Sequence, residues 1–295
     1  MRVFVTGASG FIGSAVVREL LEAGHQVVGL ARSDTAAVAL TAAGADVHRG
    51  ALDDLDSLRS GAAAADGVIH LAFGHDFDHY ASAVAADLRA VEALGAALDG
   101  SGRPFVIASG TLLVTPGRLA TEADPGPPGV PRAAAENAAI AAAARGVRSA
   151  VVRLAPCVHD AERQGLATRL AEIARARGVS AFVGDGSNRW PAVHRLDAAR
   201  LFRLAVEAAP AGSRLHAVGE EGVLFRDIAE AIGRQLKLPV VSIAAKEAGN
   251  HFGWFAAVVS IDNPTSSALT RERLGWKPEG PGLIADLAHG HYVND

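Results

Sequence analysis

The first thirteen residues constrain the fold more than any other stretch: an apolar run, Val3-Phe4-Val5, breaks into Thr6-Gly7-Ala8-Ser9-Gly10-Phe11-Ile12-Gly13. β-Branched and aromatic residues favour a strand, and three glycines at three-residue spacing favour a tight turn. Phe11, Ile12, Ala15, Val16 and Leu20 then fall on one stripe of a helix that should end near Gly24. Residues 26–30 read as the next strand. In this order of elements a diphosphate can approach the backbone where no Cβ intervenes and meet the N–H groups of a helix N-terminus. Gly7, Ser9, Gly10, Phe11, Ile12 and Gly13 are therefore the expected dinucleotide-binding turn.

A chain of 295 residues can bury one large core and a smaller lobe. Its net charge of -4, without long blocks of one sign, gives no electrostatic reason to expect nucleic acid or an anionic membrane. The single cysteine, Cys157, excludes an internal disulfide framework and fits a reducing compartment. The longest alanine-rich run, residues 133–144, contains Glu136 and Asn137 and is no bilayer span. Met1-Arg2 leads straight into the first strand, which leaves no room for a signal peptide. The expectation is a cytoplasmic protein that acts on a small molecule, with no nucleic-acid or membrane partner.

Further along, the second strand runs into Ala31-Arg32-Ser33, and no acid appears before Asp34. A carboxylate at this position suits the ribose of NAD, whereas an arginine suits the extra phosphate of NADP. NADP is thus favoured over NAD, with Arg32 and Ser33 on the phosphate; the alternative is a solvated surface arginine with Asp34 reaching the ribose. Asp53 is either a contact for the adenine amino group or the cap of a helix over residues 54–60. Residues 68–72 form an unambiguous strand, and Leu71, Ala72 and Phe73 at its end should lie beside the glycine turn.

The G-x-x-G-x-x-G turn at Gly7, the segment D-x-V-I-H-L-A from Asp66, R-L-A-P from Arg153, residues 184–197 with V-H-x-x-D, and L-G-W-K-P from Leu274 resemble the extended or atypical short-chain dehydrogenase/reductases. That family includes nucleotide-sugar epimerases and dehydratases. The resemblance implies an α/β Rossmann-type doubly wound parallel sheet with a smaller C-terminal substrate lobe. Residues 1–160, joined again by 194–215, would form the NADP-binding domain, and 161–295 would be mainly lobe. It also implies that Pro156 and Val158 line the nicotinamide pocket and that Arg189 could meet a substrate diphosphate. Helices 81–98 and 132–145 would be a possible homodimer interface.

The usual catalytic set is missing. The family carries Ser or Thr after its fifth strand and Tyr-x-x-x-Lys on the next helix, where lysine lowers the tyrosine pKa for proton exchange. Here Gly110 takes the hydroxyl position between Ser109 and Thr111, and Arg132 to Glu136 takes the place of the Tyr-Lys pair. Arg132 and Glu136 share a helix face, either as an exposed ion pair or with Glu136 fixing the fork of an Arg132 aimed at the nicotinamide. The catalytic candidates are Ser109 or Thr111 for the substrate oxygen, Arg132 for orientation, and His75 as proton source in a loop that also holds His79. Metal is not expected, since no third ligand accompanies His75 and His79. The leading expectation is an NADP-dependent oxidoreductase acting on a small carbonyl-type compound. Its rivals are a nucleotide-sugar epimerase or dehydratase and a non-catalytic NADP-binding sensor.

Overall fold

The computed structural model describes residues 1–74, 80–114, 116–126, 129–130, 132–161 and 165–289. Its first half alternates strand and helix: β1 (Arg2–Thr6), α1 (Phe11–Glu22), β2 (Gln26–Ala31), α2 (Asp34–Ala42), β3 (Asp46–Arg49), α3 (Leu55–Ala63), β4 (Gly67–His70), α4 (Tyr80–Ala97), β5 (Pro104–Gly110), α5 (Ala133–Ala142) and β6 (Arg148–Leu154). Beyond these come β7 (Cys157–His159), α6 (Leu166–Arg177), β8 (Ser180–Val183), β9 (Arg189–His194), α7 (Arg195–Ala208), β10 (Ser213–Ala217), β11 (Glu220–Leu224), α8 (Phe225–Leu236) and β12 (Val240–Ile243).

Seven strands form one parallel sheet in the order β10-β6-β5-β4-β1-β2-β3. The chain leaves β1 in one direction and returns on its other side through β4, so the ends of β1 and β4 meet at the switch point, with Thr6 beside His70. This is the doubly wound Rossmann-type architecture, and the crevice at such a switch point is where ligands enter it. Helices cover both faces. Val3, Val5 and Ile69 point to the side of α1 and α7, whereas Phe4 and Val68 point with Phe105 and Ile107 to the side of α3, α4 and α5. Burial on both faces explains why these strands read as continuous apolar runs.

Local chemistry sets the boundaries. Gly24 adopts φ +81°, and the His25 N–H donates to the Leu20 carbonyl at 3.0 Å, closing α1 as expected of a glycine stop. Ser33 caps α2 through the Ala36 N–H, and α3 is capped by Asp54, not Asp53, through the Ser57 N–H at 3.1 Å. The alanines of α4 and α5 pack the two helices against each other and onto the sheet within this chain.

The lobe has its own core around Trp190, Phe225, Ile228, Phe252 and Phe255, under a three-stranded sheet in the order β11-β9-β7 and a parallel pair of β8 with β12. Of the aromatic patch near residue 254, Phe252 and Phe255 are therefore core, while Trp254 stays about half exposed. Between lobe segments the chain returns to the main sheet through α7 and β10. Asp197 ties the two parts together: its carboxylate accepts the Glu279 and Gly280 N–H groups, and its carbonyl accepts the Trp276 indole. Among the described residues no helix is long and apolar enough to cross a membrane.

Candidate dinucleotide and catalytic site

Gly7 has φ +67°, and a Cβ there would lie 2.7 Å from the Ala72 nitrogen, so only glycine lets the end of β1 pass the end of β4. At Gly13 a Cβ would stand 2.0 Å from the Gly7 carbonyl oxygen, which fixes the close crossing of turn and helix. Gly10 is different. A Cβ there meets only the Gly7 oxygen, at 3.2 Å, and Gly10 is the N-cap of α1 with no side-chain hydrogen bond. The helix thus presents its N-terminus to open space that a side chain at Gly10 would fill, which is the fit a diphosphate requires. A nicotinamide dinucleotide held here supplies or accepts a hydride at its ring. Ser9 is exposed beside the turn, and Phe11 and Ile12 are half-buried on the first helical turn.

Thr6 locks the strand ends beneath the turn. Its Oγ1 receives the Leu71 and Ala72 N–H groups at 3.3 Å each and lies 2.7 Å from His70 Nδ1. With both acceptor sites used, the hydroxyl donates to Nδ1, so the His70 proton sits on Nε2 and points to Asp87 of α4 at 3.2 Å. Leu71, Ala72 and Phe73 are half-buried at the switch point, as expected. Behind α1, Arg195 stacks on Phe11 at 4.6 Å, reaches Ser14 Oγ at 2.6 Å and pairs with Asp160.

At the end of β2, Arg32 is exposed and makes no hydrogen bond or ion pair with the described residues. Asp34 pairs with Arg49 at 2.6 Å. Because Asp54 takes the cap, Asp53 stays exposed in the β3–α3 connection, without a partner among the described residues.

At the opposite end the structure rearranges the expected catalytic set. Ser109 is buried and donates to Glu136 Oε2 at 3.1 Å. Thr111 is buried and donates to Asn263 Oδ1 at 3.0 Å, while the Asn263 amide returns a bond to the Thr111 carbonyl. Both hydroxyl protons are thus committed internally and not offered to a substrate oxygen. Nor does Glu136 pair with Arg132. It is fully buried, accepts both arms of the fully buried Arg153 and also pairs with Arg214 at 2.9 Å. Burial alone would raise the Glu136 pKa, but the bonds and charges of the two arginines reverse this and hold it below the ordinary carboxylate value.

Arg132 instead places its guanidinium 4.0 Å over the Phe73 ring, three residues beyond β4, and its buried Nε has no acceptor among the described residues. A Cβ at Gly110 would meet only the Leu154 carbonyl, at 4.0 Å, so there is open space beside this position among the described residues. Pro156 is half-buried at the end of β6, but the Val158 side chain is buried in the sheet core and offers a pocket only its backbone. Cys157 is buried, and burial pushes its thiol up to about 12, which suits a filler and not a nucleophile. His75 and His79 lie outside the described residues. Among the described ones no group of three or more His, Cys, Asp or Glu could hold a metal.

The proline- and glycine-rich connection between β5 and α5 is fastened in its described part. Arg153 donates to the Asp124 carbonyl, Glu122 Oε1 accepts the Thr270 N–H and hydroxyl, and Ala120 bridges Thr265. Arg118 holds the Asp124 carboxyl down at about 2. His216 closes this network by donating from Nδ1 to the Ser266 carbonyl at 2.8 Å, so that Nε2 accepts from Arg153. Burial, with Arg153, depresses the His216 pKa to about 4. Between about pH 6.5 and that value the unfolded chain binds a proton that the folded chain refuses, so stability is complete at neutral pH and falls with acidification. Urea unfolding at pH 7 and pH 5 should show the loss, and His216→Asn should flatten that slope.

Sequence reading missed Arg153, Arg214 and Asp262. A usable signal was present at Arg153, since a charge inside an otherwise apolar strand needs a buried partner. Arg189 is held by Asp262 through two parallel bonds of 3.0 and 2.8 Å, so a diphosphate would have to displace a carboxylate there.

The profile of the NAD dependent epimerase/dehydratase family matches residues 3–218. Uncharacterized protein C2A9.02 of Schizosaccharomyces pombe is 50% identical over 99% of this chain and 100% of its own length. UDP-glucose 4-epimerase of Streptomyces lividans is 28% identical over 97% of this chain and 93% of that protein. The 2-alkyl-3-oxoalkanoate reductase of Stenotrophomonas maltophilia is 34% identical over 72% of this chain and 67% of that protein. Among solved structures, a short-chain dehydrogenase/reductase superfamily protein from Agrobacterium tumefaciens with bound NAD shares the fold, with a TM-score of 0.75 and 18% identity over 98% of this chain and 95% of that one. The chain belongs to the NAD-dependent epimerase/dehydratase family, whose members are NAD(P)-dependent enzymes.

Proposed function

We propose that the protein is an NADP-dependent reductase of small carbonyl compounds in which Arg132 replaces the usual tyrosine as the group that holds the substrate oxygen. The observation that carries this reading is the Arg132 guanidinium, 4.0 Å over the Phe73 ring with its buried Nε free of any acceptor among the described residues, at the N-cap of the helix that follows the strand ending in Gly110. Carbonyl reduction moves a hydride to carbon and a proton to oxygen. A fixed guanidinium stabilises the negative charge that develops on that oxygen, and its fork can equally hold a neighbouring carboxylate. The proton comes from water or from His75. The likeness to an oxoalkanoate reductase supports a substrate that carries both groups.

The test is NADPH oxidation against aldehydes, ketones and oxoacids. Arg132→Ala should lower kcat/KM by about 100-fold or more, the scale of losing one oxyanion donor, while NADPH binding stays intact. Equal turnover by the variant would sink the assignment.

The cofactor preference rests on Arg32, which is exposed and unpaired, and on Asp34 being turned toward Arg49. Arg32→Ala should weaken NADPH binding by about tenfold and leave NADH nearly unchanged, the difference expected for one charged contact to a phosphate. Tighter binding of NADH than NADPH by the unaltered protein would refute the preference. The nucleotide-sugar reading has support in the epimerase relative. Against it stands Arg189, already neutralised by Asp262.

A further inference from the structure

A second cleft, of about 280 Å³, lies in the lobe where β7 and β9 end against residues 278–282. Parallel pairing sets His159 beside His194, and Glu220 of β11 pairs with Ala192 two residues earlier, so all three side chains share one face. The helix Leu283–His289 lies against that face and brings in Asp286. His159 is fully buried, and its Nδ1 donates to Asp286 Oδ2 at 2.6 Å. Nε2 is left as a buried acceptor with no hydrogen-bond partner, 4.0 Å from Glu220 Oε2. Glu220 is itself fixed, because Oε2 accepts the Leu283 N–H at 2.7 Å, and among the described residues no donor bonds to Oε1. Asp197 also lines the cleft, but its carboxylate is satisfied within the protein by the Glu279 and Gly280 N–H groups and by Arg200 at 3.5 Å; no lysine or arginine lines the cleft among the described residues.

We propose that this cleft binds a compact organic cation through a primary ammonium group whose N–H bonds go to His159 Nε2 and Glu220. A buried acceptor without a donor is costly, and a ligand that brings donors and positive charge satisfies it. Geometry separates this ligand from a metal. An ammonium nitrogen about 2.8 Å from each acceptor spans their 4.0 Å separation at roughly 90°, within reach of two of its N–H bonds. A zinc ion about 2.0 Å from each would need nearly collinear ligands to span 4.0 Å, which tetrahedral zinc does not accept. Burial lowers the His159 pKa against the opposing pull of Asp286 and Glu220, so near neutrality the ring offers a lone pair. This inference does not rest on the reaction proposed for the dinucleotide crevice.

The experiment is a titration of the full chain with n-butylammonium chloride at constant ionic strength, read from the assigned His159 ring resonances by NMR. 1-Butanol serves as the neutral counterpart. Expected are a saturable shift with the amine, none with the alcohol, and binding at least about tenfold weaker in Glu220→Gln, the loss of one charge-assisted bond. Glutamine keeps an acceptor for the Leu283 N–H, and the comparison of amine with alcohol on the unaltered protein stands even if the variant unfolds. No saturable shift with the amine, an equal response to the alcohol, undiminished binding by a folded Glu220→Gln, or a response to zinc chloride alone would each overturn the proposal.

Discussion

Glu136→Ala is expected to destabilise the fold by about 3–5 kcal/mol, measured as a fall in urea midpoint, because it leaves the Arg153 guanidinium buried without a counter-charge. Arg153 and Glu136 are both fully buried, and Ser109, Arg214, the Asp124 carbonyl and His216 all bond into the same pair. Glu136→Gln keeps an acceptor and the packing volume and should lose less. A lysine at this position places a third cation against Arg153 and Arg214, so Glu136→Lys should be worse than alanine. A Glu136→Ala protein as stable as the parent would show that the network does not hold α5 to the sheet.

Gly10→Val is expected to abolish measurable NADPH binding while changing the stability of the free protein by only about 1 kcal/mol, the scale of an N-cap substitution. The new side chain points into the open space before α1, with only the Gly7 oxygen, at 3.2 Å, within reach of its Cβ. Gly13→Ala should behave differently and destabilise the free protein as well, because its Cβ would lie 2.0 Å from the Gly7 oxygen. Calorimetry with NADPH and thermal unfolding of the free variants separate the two effects. Retained NADPH affinity in a folded Gly10→Val protein would move the diphosphate away from this turn.

The glycine turn, the apolar strands and the helix that follows were legible because their signals are local, as periodicity and glycine spacing act within a turn or two. The catalytic end was not. Arg132 and Glu136 sit four residues apart on a helix, and the local rule pairs them. A buried arginine from β6 outcompetes that contact, because Glu136 cannot be buried charged without a partner of its own. Thr111 meets Asn263 across 152 residues and Arg189 meets Asp262 across 73, separations that no spacing rule spans. The cap of α3 shifted by one residue, from Asp53 to Asp54, and that shift is what frees Asp53. His75 lies outside the described residues.

The most direct measurement is single-turnover oxidation of bound NADPH by the unaltered protein and by Arg132→Ala, each presented with a panel of aldehydes, ketones and oxoacids, with NADPH affinity determined alongside. A reductase that uses Arg132 gives oxidation by the unaltered protein, a rate about 100-fold lower in Arg132→Ala and equal NADPH affinity in both. Oxidation at the same rate in both proteins, or tight NADPH binding with no oxidation by either, would contradict it.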